Sequence, residues 1–208
     1  MMSMLRRFPL ILVVLLLMGC FGREIPPVTV KHYAVEYPPP AREGRIAPDA
    51  VVRMERFTTG EGMIGRAMVF RPKLFVRETY RYHRWDVVPA DMVQALLLRD
   101  IRHAGLFNAA LSPHDGGTAR YVINGHVAEF LEIDEGDRSY ASVVLDVTVI
   151  DTAGAPDEVV LLQKTYRGFE PMPSRQPHAL ARSMSAAMAR LSAAFLEDLG
   201  RAVKENKK

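Results

Sequence analysis

The sequence has little of several things, and each shortage narrows the reading. It contains one cysteine in 208 residues. A single thiol excludes an internal disulfide framework and any zinc or iron–sulfur site built from several thiolates. Neither sign of charge dominates, with 27 Lys and Arg against 24 Asp and Glu and a formal charge of +3. No P-loop, no G-x-S-x-G elbow and no H-E-x-x-H pair occurs. The six histidines (His32, His83, His103, His114, His126, His178) are scattered without i, i+4 pairing. There is no solenoid period and no long low-complexity tract. What remains is a hydrophobic fraction of 49% and a charged fraction of 25%, ample for a packed core. The length fits one domain at roughly 100–200 residues per domain.

The longest apolar run is residues 8–18 (FPLILVVLLLM), behind Arg6 and Arg7 and ahead of Gly19 and Cys20. It is too short for a membrane-spanning helix, which needs about 20 residues. A basic start, a short apolar stretch and a small residue before a polar turn read as an export signal. Leu17-Met18-Gly19-Cys20 resembles the lipobox of bacterial lipoproteins. The resemblance implies cleavage before Cys20, a diacylglycerol on its thiol and an acyl group on its new amino end. The sole thiol of the chain stands where that lipid would be attached. The expected organisation is therefore a signal over residues 1–19, a lipidated tether over 20–29 and a single domain over 30–208. Two or more acyl chains anchor stably without spanning. Without Arg6 and Arg7 the count is 25 basic against 24 acidic residues, or +1, so no basic face for nucleic acid is expected.

Alternation of β-branched and aromatic residues predicts strands over 30–37, 51–57, 67–70 and 74–82, the last two separated by Pro72 and the first closed by Pro38-Pro39-Pro40. A helix is expected over 89–103, opened by Pro89 and closed by Gly105, with Met92, Val93, Leu96, Leu97 and Ile101 on one face. Residues 121–131 and 140–150 read as a hairpin around an acidic turn holding Gly136, and 159–169 as its third strand after a turn at Gly154. Leu180, Met184, Met188, Leu191, Phe195 and Leu199 recur at three- and four-residue spacing and predict a helix over 177–203. The fold class is α+β in two layers, a mostly antiparallel or mixed sheet with helices on one face.

Two motifs invite chemistry. Gly60, Gly62 and Gly65 spell G-x-G-x-x-G, but the fingerprint needs a helix after the last glycine, and residues 66–72 read as a strand. The acidic run Glu129, Glu132, Asp134, Glu135 and Asp137 lacks the ligand spacing of a calcium loop and reads as a solvated hairpin tip. No metal or cofactor site and no catalytic residue is expected. Tyr80-Arg81-Tyr82-His83-Arg84-Trp85 is denser in aromatics and arginine than any other stretch, a composition that protein–protein contacts favour. As a strand it would turn Tyr80, Tyr82 and Arg84 one way and Arg81, His83 and Trp85 the other. Tyr80, Tyr82, His83, Arg84 and Trp85 are the candidate partner contacts. The alternative is that Trp85 and one tyrosine row pack beneath the following helix.

The string from Phe75 to Trp85, with Lys31-His32-Tyr33-Ala34-Val35, residues 121–130 and residues 163–170, resembles the ABC-type transport auxiliary (PqiC-like) lipoprotein family. The likeness covers nearly all of the chain after Cys20. It implies a non-enzymatic outer-membrane lipoprotein working with an MCE-domain protein and an ABC-type machine that moves phospholipid between the inner and outer membranes, with a ring-forming homo-oligomer as one arrangement. Phe21 follows Cys20 where inner-membrane retention is associated with Asp, which favours the periplasmic face of the outer membrane over the inner membrane. A second resemblance, of Tyr121-Val122-Ile123-Asn124-Gly125-His126-Val127 to a strand with a central glycine, is to lipoproteins that assist cell-wall synthesis or secretion. A lipid-modifying enzyme is a third class.

The anchor makes the first prediction. Cys20→Ser is expected to leave a soluble or unprocessed chain, checked by fractionation and intact-mass measurement. An unmodified Cys20 in the membrane fraction of the parent would overturn it.

Overall fold

The computed structural model describes residues 28–41, 44, 46–60, 63, 65–153 and 158–206. The lipobox (Leu17, Met18, Gly19, Cys20), Gly62 and Gly154 lie outside the described residues. The elements are β1 (Lys31–Tyr33), β2 (Ala47–Met54), β3 (Thr58–Thr59), β4 (Ala67–Lys73), β5 (Val76–Trp85), α1 (Pro89–Ala104), β6 (Phe107–Leu111), β7 (Tyr121–Glu135), β8 (Arg138–Asp151), β9 (Val159–Pro171) and α2 (Pro177–Glu205).

All nine strands join one mixed sheet built around β7. Along one edge β7 pairs antiparallel with β8 from Tyr121↔Asp151 to Glu135↔Arg138. Gly136, at φ +60, closes that hairpin in two residues, in the first central position where a II′-like turn takes glycine. Along the other edge three short strands dock in succession, all parallel: β2 beside Tyr121–Ile123, β3 beside His126 and Val127, β4 beside Glu132 and Ile133. The chain from 47 to 73 thus follows β7 as one interrupted strand. Its second interruption begins at Gly60 and ends at Gly65, the G-x-G-x-x-G stretch. Gly60 N–H donates to Val127 O at 3.1 Å, and Phe130 N–H donates to Met63 Sδ at 3.2 Å. This crossing sits opposite the β-bulge between Val127 and Glu129, and β4 follows it, not a helix.

Both helices pack on the sheet and on each other. Each begins at proline, whose missing N–H is no loss in a first turn. Gly105, at φ +71, ends α1 by donating its N–H to Ile101 O. The expected stripe on α2, from Leu180 to Leu199, is buried throughout, as are Ala141, Val143, Leu145, Val147 and Val149 of β8. Close approach is set by Gly168 of β9. A Cβ there would stand 2.6 Å from Val143 Cγ1 and 3.1 Å from the Ala187 methyl of α2.

Asp100 locks the helix layer. Fully buried on α1, it accepts hydrogen bonds from Tyr37 Oη at 2.7 Å, Ser192 Oγ of α2 at 2.5 Å and Arg99 Nε at 2.8 Å. Tyr37 belongs to a strap after β1, whose Glu36 N–H donates to Ser185 Oγ at 3.0 Å. Here the first expected strand is corrected. Only residues 31–33 pair as strand, because the strap bonds to helix side chains and not to a sheet edge.

Other boundaries also move. β2 starts at Ala47, inside the expected loop, with Pro48 at the irregularity between Ala47 and Val51 where the β6 ladder is broken. Pro72 lies within β4 and not between two strands, again at a register shift, between Phe70 and Lys73. The residue pattern does not predict β3 or β6.

Packing at Gly168 yields a test. Gly168→Ala is expected to cost about 1–3 kcal/mol in urea unfolding, whereas Gly116→Ala, with open space around it, leaves the midpoint unchanged.

Candidate functional site

The aromatic stretch forms the C-terminal half of β5. Strict alternation fails there, because β5 carries extra residues against β4: Val69 pairs with Thr79, yet Ala67 pairs with Arg84. The bulged segment brings Tyr80 and His83 together, with ring centroids 6.0 Å apart and nearly perpendicular planes. Tyr33 of β1 completes the cluster, its Oη 2.9 Å from His83 Nδ1. Arg84 folds back so that Nη1 donates to Tyr80 O at 2.6 Å and His83 O at 2.9 Å. Its guanidinium holds the bulge.

Trp85 is fully buried, edge-on to Phe130 at 5.0 Å. It belongs to the core and offers no surface to a partner, which corrects its inclusion among the contact residues. Tyr82 is exposed, with Arg81 over its ring at 5.3 Å. His83 and Arg84 are half-buried. The outward part of the stretch is therefore Arg81 and Tyr82, flanked by His83 and Arg84.

Tyr80 points elsewhere. Its Oη donates to Glu132 Oε2 at 2.6 Å, and its ring lies 5.0 Å from that of Phe70. Glu132 is almost wholly buried on β7, one repeat from Asp134, which pairs with Arg175 Nε at 3.2 Å. Burial pushes the Glu132 carboxyl above its ordinary range, and the Asp134 charge adds to this; the Tyr80 hydrogen bond works the other way. Burial also raises the Tyr80 phenol, with the Glu132 hydrogen bond next in effect. The expected solvated tip is thus only partly solvated, since Glu132 reaches inward.

At its other end β5 begins with a feature that the residue pattern conceals. Lys73 pairs with Val76, leaving Leu74 and Phe75 as a two-residue hairpin turn. Phe75 adopts φ +69 and is fully exposed at 101%, and Leu74 is 71% exposed. A left-handed residue with a Cβ costs roughly 1–2 kcal/mol, so such turns favour Gly or Asn. The only signal in the sequence is Lys-Leu-Phe-Val with no glycine, and an apolar run hides a turn.

A groove of ≈ 520 Å³ lies between the strap and α2, lined by Glu36, Tyr37, Ala181, Arg182, Ser185 and Ala189. Among the described residues no group of three or more His, Cys, Asp or Glu is placed to hold a metal, and no helix is long and apolar enough to cross a membrane.

No protein-family model matches the chain, and no curated protein does. Solved structures share its fold. Protein XCC0632 of Xanthomonas campestris, described as family-model DUF330, superposes with a TM-score of 0.71 at 14% identity, over 86% of this chain and 99% of that one. An uncharacterized protein gives 0.63 at 10% identity, over 82% and 99%. The hypothetical protein CT253 of Chlamydia trachomatis gives 0.52 at 11% identity, over 74% and 97%.

The buried carboxyl makes a signed prediction. Because the native state holds the Glu132 proton more tightly than the unfolded chain, stability falls as pH rises from the ordinary value of 4.5 through the raised native one. Glu132→Gln keeps an acceptor for Tyr80 without the charge. Its stability relative to the parent should therefore rise with pH across that window and then level off, read by urea unfolding at each pH. A difference independent of pH would refute the assignment.

Proposed function

We propose that this chain is a lipid-anchored, non-enzymatic auxiliary component of an MCE/ABC-type phospholipid transport system in the bacterial envelope. The observation that carries the anchor is Leu17-Met18-Gly19-Cys20, with the sole thiol at its end. The transport role rests on the resemblance of Phe75–Trp85 and its companion strands to the auxiliary lipoproteins. The fold supports a binding part: a two-layer α+β domain that exposes Arg81 and Tyr82 beside the β1 edge. The inner leaflet of the outer membrane is the proposed site, from Phe21 after Cys20.

The cell-wall or secretion reading draws on Gly125. That glycine has an account within the fold, because a Cβ there would stand 2.4 Å from the Phe57 ring. Phe57 packs over β7 where β2 gives way to β3, so the glycine does not single out a partner.

Affinity capture of the acylated chain from envelope extracts is expected to recover an MCE-domain protein. Tyr82→Ala should lower that recovery about tenfold, about what losing one aromatic contact residue costs. Recovery of a cell-wall synthase, or of no MCE-domain protein with the anchor intact, would overturn the assignment.

A further inference from the structure

The Leu74-Phe75 turn contributes nothing to the core. Among the described residues its side chains are the two most exposed of the large hydrophobics, and the left-handed position of the turn disfavours Phe75. Residues that serve neither local conformation nor packing are selected by something outside the fold. Arg71, Lys73 and Arg77 flank the turn on its two strands, with Glu78 the one carboxylate in residues 71–78. Arg71 pairs with Glu129 at 3.7 Å, and the β4–β7 register puts Glu135 of the next hairpin level with Lys73. An apolar tip whose own two strands carry Lys73 and Arg77 beside it matches a lipid surface, with the side chains among acyl chains and these cations at anionic headgroups.

The direction of the chain agrees. β1 runs parallel to β5 with Lys31 level with His83. Followed backward, that register puts Val30 beside Tyr82 and Val28 beside Tyr80, so the polypeptide leads toward the hairpin end. Val28 and Val30 are themselves exposed. From the level of Tyr80 to Phe75 is about 17 Å of strand. The eight residues from Cys20 to Val28 can span up to about 28 Å. An anchor at Cys20 therefore lets the tip meet the surface in which the acyl chains sit.

We infer that Leu74 and Phe75 form a second membrane contact, inserting into an anionic lipid surface and orienting the domain with β5 rising from it. This rests on the anchored reading of Cys20. The test uses the full acylated chain carrying Phe75→Trp, reconstituted with phosphatidylethanolamine–phosphatidylglycerol vesicles. Buried Trp85 in the parent supplies the background. Emission from the introduced indole should shift to the blue and fall at least twofold with brominated acyl chains. In the unacylated Cys20→Ser chain, Leu74→Asp with Phe75→Asp should weaken flotation with the same vesicles about tenfold at low salt.

An unquenched indole at the tip of a chain that floats and carries acylated Cys20 would overturn the contact while leaving the anchor standing. An indole shielded from water but untouched by brominated lipid would place the tip in protein, and equally overturn it. If mass measurement shows Cys20 unmodified, the anchor reading fails by itself, and loss or retention of flotation in the aspartate variant still decides the tip.

Discussion

A fifteen-residue strand has two edges of backbone donors and acceptors, and a buried edge left unpaired is costly. β7 meets this demand asymmetrically. One continuous partner, β8, serves the first edge, and β2, β3 and β4 serve the second in turn. The rest of the sheet follows from that. Because the three short strands run in chain order alongside β7, they must be parallel to it. The return from β4 to β7 then needs a long crossover, which β5, α1 and β6 provide. The aromatic strand is a consequence, placed one position outside β4 with β1 as its own outer neighbour.

The helix layer is held differently, by apolar packing with one buried charge at its centre. Asp100 is shared by the strap, by α1 and by α2, and each supplies a donor. Removing such an acceptor leaves several donors unsatisfied at once, so the site specifies relative placement more than it adds stability. Its neighbour Arg99 also lies over the Tyr37 ring at 4.5 Å, so charge and aromatic contact hold the strap in the same place.

The long periodic elements were legible in the sequence. The α1 and α2 stripes, the hairpin of β7 and β8, and the run of β9 follow from spacing alone, and the fold class follows from them. What could not be read depends on partners distant in sequence. β3 has two residues and exists only because β7 lies beside it. Residues 34–37 have strand composition but find helix side chains. Pro48 and Pro72 look like breaks and are absorbed at register shifts. In the aromatic stretch the extra residues of β5 break the two-residue period, so Tyr80 turns toward Glu132 and meets His83, while burial claims Trp85. Arg81 and Tyr82 are both exposed, although strict alternation would set them on opposite faces.

β1 is only three residues long, yet its direction gives it a mechanical role. A pull on the chain ahead of Val28 arrives along the axis of β5, since the two strands run parallel. Load in that direction shears the ladder, so its bonds resist together and do not open one after another. The Tyr33 hydroxyl at His83, and Tyr33 O accepting from Asp86 N–H at 2.9 Å, lie in the same line. Behind them the strap is fastened to both helices through Glu36 and Tyr37. Tension entering the domain ahead of Val28 would thus meet β1 first, and the strap behind it would pass the load to the helix layer.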